Sequence, residues 1–94
     1  MREREIEQYF IRRVREAGGL QRKFVSPGHK GVPDRICVLE GRVHFVELKA
    51  PGKALRSEQA REHARFRAHG GEVWTIDSKE RVDYFIQQLC ERFA

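Results

Sequence analysis

The sequence predicts one α/β domain in which a mixed sheet is flanked by helices. Three observations indicate this class: charged segments with helical periodicity at both ends of the chain, β-rich runs between them, and glycine or proline breaks at each boundary. Ninety-four residues are too few to divide into two cores, so we expect residues 1–94 to form a single domain. The predicted order is αβββαβα.

A first helix is predicted over residues 3–17. Its apolar positions recur at helical spacing among charged residues and end at a glycine pair: Ile6, Phe10, Val14 and Ala17, followed by Gly18-Gly19. Residues 20–25 then alternate apolar and basic side chains, as a short strand does. Residues 26–31 carry the turn chemistry of an exposed loop.

The next segment predicts a β-hairpin with strands over residues 35–39 and 43–49. The linker Glu40-Gly41-Arg42 suits a two-residue turn at Glu40-Gly41, which places Leu39 opposite Arg42. Extending that ladder places Asp34 opposite Glu47, and Lys49 on the same face as Glu47. Two carboxylates and one amine should therefore meet at the open end of the hairpin.

The C-terminal part predicts a helix, a strand and a second helix. Ser57 and Glu58 open a polar helix over roughly residues 55–69, and residues 73–76 read as a short buried strand. Asp77 or Ser78 then caps a final helix. Its apolar stripe consists of Val82, Phe85, Ile86, Leu89 and Phe93.

Composition and charge indicate an intracellular protein with a polyanionic partner. Nineteen basic residues exceed fourteen acidic ones, which gives a formal net charge of +5 and favours nucleic acid. Cys37 and Cys90 lie in apolar runs without metal-ligand or redox spacing, as in a reduced protein. The charged N-terminus and the lack of a long apolar run argue against a signal peptide and a membrane span, so we expect a cytoplasmic location.

The paired acids admit two interpretations. In the first, Lys49 neutralises Asp34 or Glu47 in an ordinary ion-pair cluster. In the second, a divalent cation lies between the two carboxylates, and oxygen-only ligands favour Mg²⁺, with Mn²⁺ as a substitute. A basic domain that holds Mg²⁺ beside a lysine suggests hydrolysis of phosphodiester bonds. Pro33 and the apolar neighbours of Glu47 place the acids on a firm scaffold, which favours the second interpretation.

These residues carry a family resemblance. Gly31-Val32-Pro33-Asp34-Arg35, followed by Glu47-Leu48-Lys49-Ala50-Pro51, resembles the PD-(D/E)xK nuclease motif of the virus-type replication-repair nuclease (VRR-NUC) family, which is similar to Holliday-junction resolvases. The resemblance covers nearly the whole chain and implies a restriction-endonuclease-like αβββαβ core with an added C-terminal helix. It implies that Asp34, Glu47 and the Leu48 carbonyl bind the metal, and that Lys49 orients or activates the attacking water.

The resemblance extends to two further positions. It implies an acidic metal ligand on the first helix, for which Glu7 is the first choice and Glu3, one turn earlier, the alternative. It also implies that Gln59 points from the second helix toward the site. An ordinary surface acid is an equally good interpretation of Glu7 and the favoured interpretation of Glu3, and Gln59 considered alone would also be an ordinary surface residue.

Basic residues around the motif are candidates for phosphate contacts that position DNA without reading its sequence: Lys23, Lys30, Arg35 and Lys53. Three histidines have no partners at metal-ligand spacing and are expected to be surface or packing residues: His44, His63 and His69. Beyond the metal, no small-molecule cofactor is indicated, and no membrane partner.

The combined expectation is a Mg²⁺-dependent endonuclease that acts on branched DNA as a homodimer, similar to a Holliday-junction resolvase. The dimer is expected because one small sheet face should not cover the apolar stripes of both terminal helices; the alternative is that both stripes pack within a monomer. The same sequence also allows a nuclease for flaps, nicks or plain duplex, a non-catalytic DNA-binding module, and an interaction protein with structural acids.

Overall fold

The computed structural model describes residues 1–91 and confirms the predicted element order. The elements in chain order are α1 (Glu3–Glu16), β1 (Leu20–Lys23), β2 (Arg35–Leu39), β3 (Arg42–Leu48), α2 (Ser57–Ala68), β4 (Val73–Ile76) and α3 (Lys79–Glu91). No helix in this described part is long and apolar enough to cross a membrane.

The four strands form one mixed sheet in chain order. β1, β2 and β3 are antiparallel neighbours, and β4 runs parallel to β3 after the crossover through α2. The hairpin register is the predicted one, with Leu39 opposite Arg42 and Arg35 opposite Val46. Glu40 and Gly41 both have positive φ, 54° and 72°, as the two central residues of a type I′ turn require.

β1 is shorter than predicted. The amide of Phe24 still donates to the Asp34 carbonyl at 2.9 Å, but the strand ends at Lys23. Val25 is 76% exposed, because the chain leaves the sheet there for the loop that contains Pro27 and Gly28.

α1 and α3 pack side by side on one face of the sheet. Their rings meet at Phe10 and Phe85, with centroids 6.0 Å apart, and the Tyr9 hydroxyl donates to Asp83 at 2.6 Å. The buried positions of the two helices are Ile6, Phe10, Val14, Val82, Phe85, Ile86 and Leu89. The prediction that one stripe is left over for a dimer was therefore wrong for these residues; Phe93 lies outside the described residues.

α2 covers part of the opposite face of the sheet. Phe66 of α2 meets Phe45 of β3 edge to face, with centroids 4.9 Å apart, and Phe24 joins them. The buried residues of this helix are all polar: Gln59, Glu62 and His63. The space between α2 and the sheet is therefore lined by polar and ionisable side chains rather than by apolar core residues.

Both cysteines are free thiols. Cys37 is buried in the core, where burial raises the pKa of its thiol to about 12. Such a thiol is protonated and unreactive, which agrees with its expected role as a small hydrophobic side chain.

Candidate active site

The open end of the hairpin brings Asp34 and Glu47 together. Asp34 immediately precedes β2, and Glu47 is the second-last residue of β3. Asp34 Oδ2 accepts a hydrogen bond from the Leu48 amide at 3.3 Å, which fixes the aspartate against the strand that carries the glutamate. Glu47 is only 4% exposed. The type I′ turn and the period of the strands thus produce the convergence that the sequence predicts.

Burial strongly affects both carboxyl groups. Removal from water raises the pKa of Asp34 to about 6, against the smaller opposing effect of the hydrogen bond from Leu48. The pKa of Glu47 is raised to about 7, first by burial and then by the negative charge of Asp34, while the Lys49 amine opposes the shift. Two ionised acids are therefore costly here without a compensating positive charge.

The site offers oxygen atoms that fit a hard divalent cation. Asp34 Oδ1 and Glu47 Oε1 are buried and have no hydrogen-bond partner in the structure. Among residues 1–91, no three acidic, histidine or cysteine side chains form a metal cluster by themselves. A cation would need main-chain oxygen, water or substrate oxygen to complete its shell, which suits Mg²⁺ because it usually keeps several waters.

Lys49 lies beside the acids on the same face of the sheet. The residue is 5% exposed, and its amide donates to the Ile76 carbonyl of β4 at 2.9 Å. This hydrogen bond anchors the main chain just beyond β3, and the positive charge of Lys49 favours the ionised form of Glu47. The lysine is thus held in the site rather than extended into solvent.

Gln59 points from α2 into the site, where the resemblance places it. Its Nε2 donates to Glu47 Oε2 at 3.2 Å, and its Oε1 accepts from the Arg56 amide at 2.9 Å. The side chain is therefore held at both ends, once as a cap on the first turn of α2 and once against the glutamate.

His63 is the site residue that the sequence reasoning missed. The sequence predicts a surface or packing residue, but His63 is fully buried and its Nε2 lies 3.5 Å from Glu47 Oε1. Burial lowers the pKa of its imidazole, and the positive charges of Arg67 and Lys49 act in the same direction. Its spacing was an available signal, because residues four apart on a helix share a face and His63 follows Gln59 by that spacing.

Glu7 lies at the mouth of the site in an ion pair that the sequence did not indicate. Its Oε2 is 3.0 Å from Arg35 Nη2, and Arg35 Nη1 donates to Gln21 Oε1 at 2.7 Å. Glu7 and Asp34 line one cleft of about 250 Å³, so Glu7 faces the site without forming a three-acid cluster. Glu3 is exposed, and its charge contributes to the raised pKa of Asp34. The choice between Glu7 and Glu3 as the helix acid stays a prediction.

The candidate DNA-binding residues fall into two groups. Lys23, Lys30 and Lys53 are exposed, and Lys23 lines the same cleft as Asp34. The structure places Arg35 differently from the expectation, since its side chain is 6% exposed and held by Glu7 and Gln21. In this position the guanidinium supports the cleft wall and does not extend toward a phosphate backbone.

The sheet order, together with two acids and a lysine at the end of the hairpin, defines the class of PD-(D/E)xK nuclease domains. No protein-family model matches the chain. A solved structure described as a VRR_NUC domain superposes with a TM-score of 0.81 and 34% sequence identity, covering 98% of this chain and 97% of that one. "Putative nuclease p44" of Acyrthosiphon pisum secondary endosymbiont phage 1 is 48% identical over 81 residues, which is 85% of this chain and 87% of that protein. The chain belongs to the VRR-NUC family.

Proposed function

We propose that the protein is a Mg²⁺-dependent endonuclease that hydrolyses phosphodiester bonds in DNA, with Mn²⁺ as a substitute metal. The observation that carries the proposal is the pair of buried carboxylates, Asp34 and Glu47, beside a buried Lys49. A cation held by these acids and by the Leu48 carbonyl would neutralise charge on the phosphate and lower the pKa of a bound water.

The protein's own groups have distinct roles in this hydrolysis. Asp34 and Glu47 would hold the cation, and Gln59 fixes the rotamer of Glu47 through its 3.2 Å hydrogen bond. The Lys49 amine positions the attacking water. The water loses a proton to solvent as its oxygen bonds to phosphorus, the phosphorus–oxygen bond to one sugar breaks, and the leaving sugar oxygen takes up a proton, which gives a phosphate monoester and a sugar hydroxyl. Glu7 contributes negative charge at the cleft mouth.

DNA is the proposed substrate because exposed Lys23 lines the cleft that Asp34 also lines, and further exposed lysines flank the motif in the sequence. Lys23, Lys30 and Lys53 would contact phosphates, which positions a strand without reading its bases. The basic net charge of +5 supports the same choice of partner. A preference for branched DNA follows from the similarity to resolvases, and we include it in the proposal on that ground.

A homodimer remains part of the proposal, but its support comes from the sheet and not from the helices. Leu20, Val38 and Val43 are cross-strand neighbours on β1, β2 and β3, and they are 50%, 39% and 49% exposed. We call these three residues the apolar row. They lie on the face that α2 covers only in part, and a second copy would remove them from water.

The test is cleavage of labelled four-way junctions, flaps, nicked duplexes and plain duplexes by the purified protein with Mg²⁺. Mg²⁺-dependent cuts that EDTA stops, with paired cuts in the junction, support the full proposal. Cleavage of flaps or duplex alone removes the resolvase assignment and leaves a nuclease. Binding without cleavage in Mg²⁺ and in Mn²⁺ favours a non-catalytic DNA-binding module. Activity that survives EDTA rejects the metal site.

A further inference from the structure

One face of α2 presents two polar side chains to the same carboxylate. Gln59 and His63 are separated by one helical turn, and each lies next to a different oxygen of Glu47. The amide nitrogen of Gln59 is 3.2 Å from Oε2, and Nε2 of His63 is 3.5 Å from Oε1. Together they bracket the carboxylate from the helix side.

His63 also interacts with the loop that leads to Asp34. The main chain of Gly31 lies close enough to the imidazole to affect its pKa, although neither ring nitrogen has a hydrogen-bond partner in the structure. Gly31 itself packs against the first turn of α2, where a Cβ on this residue would lie 2.5 Å from the Glu58 carbonyl oxygen. Only Val32 and Pro33 separate Gly31 from Asp34. The imidazole therefore lies beside the loop that precedes Asp34 and beside the side chain of Glu47.

We infer that His63 is a positioning residue, which donates its Nε2 proton to Glu47 Oε1 and sets the spacing of the two metal-binding acids. The inference rests on the proposed function. At 3.5 Å neither Nε2 of His63 nor Oε1 of Glu47 has a hydrogen-bond partner in the structure, so the inferred bond forms when the site tightens around metal and substrate. Packing alone would not require a polar ring with 0% exposure at this point, because buried polar groups are costly without partners.

The experiment measures Mn²⁺ binding by electron paramagnetic resonance, with the metal alone and without DNA. His63→Leu keeps an apolar side chain in the space, whereas His63→Gln restores a donor that can reach Glu47. Loss of a group that orients a metal ligand typically costs about 10–100-fold in metal affinity, and we expect this loss for His63→Leu. His63→Gln should recover most of it.

His44 supplies a matched control. It is also fully buried, but it lies on the opposite face of the sheet, beside Glu72 and the ring of Phe85. His44→Leu should change the thermal unfolding midpoint without weakening Mn²⁺ binding. Thermal unfolding midpoints of all variants, measured in EDTA, show whether a variant that binds less Mn²⁺ is still folded. If His63→Leu does not fold, His63→Gln replaces it as the test variant.

The outcomes separate the two ideas. Wild-type protein that binds no Mn²⁺ rejects the metal site of the proposed function, and the inference with it. Wild-type binding that is unchanged in folded His63→Leu rejects the inference alone. The inference is also overturned if His63→Gln binds Mn²⁺ no better than His63→Leu, or if His44→Leu loses as much Mn²⁺ affinity as His63→Leu. Either result would show that His63 acts through packing.

Discussion

Gly31 is the point where the loop that carries Asp34 meets the first turn of α2, so Gly31→Ala tests whether this contact sets the site. Its φ of +88° is unfavourable for alanine. The new Cβ would lie 2.5 Å and 2.8 Å from the Glu58 carbonyl oxygen and carbon, and 3.0 Å from the Gln59 nitrogen. These are main-chain atoms, so the helix or the loop must move.

The expected loss in the free energy of unfolding of Gly31→Ala has two parts. Alanine in the left-handed region costs about 1–2 kcal/mol, and overpacking against a fixed backbone costs about 1–3 kcal/mol. Gly28→Ala is the matched control, because Gly28 is in the same loop with φ +84° and a Cβ on this residue would meet no atom within 4 Å. The control variant carries only the first cost. The two variants should therefore differ by about 1–3 kcal/mol in the free energy of unfolding.

The assay is thermal and urea unfolding in EDTA, followed by cleavage in Mg²⁺. Gly31→Ala should have a midpoint at least about 5 °C below that of Gly28→Ala. It should also lose activity, about 100-fold for a displacement near 1 Å, since Gln59 and His63 move with α2. Equal midpoints and equal activity of the two variants would refute the reasoning, because they would show that the contact with Glu58 bears on neither stability nor the site.

The remaining predictions concern charge and assembly. Alanine at Asp34, Glu47 or Lys49 should abolish cleavage and leave the circular dichroism spectrum unchanged; any folded variant that keeps most of its activity contradicts the site. Glu7→Gln should be strongly impaired and Glu3→Gln nearly normal, and reversed activities would move the role to Glu3. In EDTA, the two carboxyl groups should lower the free energy of unfolding in urea from pH 5 to pH 8. A carboxyl pKa raised in the folded state contributes stability below the unfolded pKa, and this stability is lost as pH rises through the folded values of about 6 for Asp34 and about 7 for Glu47. The lowered pKa of His63 acts in the opposite direction, so the wild-type dependence is compared with that of a carboxyl variant. Glu47→Gln should flatten that dependence, and an unchanged slope would count against the raised pKa of Glu47. Light scattering should give a dimer mass for the wild type and a monomer mass for Val38→Glu. A monomeric wild type would show that the apolar row is not a dimer interface.

The hairpin shows how far sequence reasoning reaches at this site. Glu40-Gly41 determines the turn, the turn determines the register, and the register places Asp34 by Glu47, so each step depends on local chemistry. His63 could not be placed in the same way, because its contact with Glu47 depends on how α2 lies across the sheet. Its spacing from Gln59 was visible, but a helix with three polar buried residues gives no clear inward face.

Arg35 and the terminal helices depart from their predicted roles for different reasons. Arg35 shares the strand face of Cys37 and Leu39, which are both buried, so strict alternation assigns it to the interior. Its charge suggests DNA instead, since the partner Glu7 lies on a distant helix. The stripes of α1 and α3 were expected to exceed what one sheet face could cover, but their residues are buried. They are buried because the two helices also cover each other, as the contact between Phe10 and Phe85 shows.

The polar character of α2 is explained by how the three helices share the packing of the sheet. α1 and α3 provide apolar contacts that hold the sheet, whereas α2 is held by an aromatic contact near its C-terminal end, Phe66 against Phe45, and by Gly31 at its first turn. Between these two supports the helix can present Gln59 and His63 to Glu47 without an apolar stripe. Buried polar groups cost stability, so a helix whose buried positions are all polar is better explained by the site that it completes than by the core.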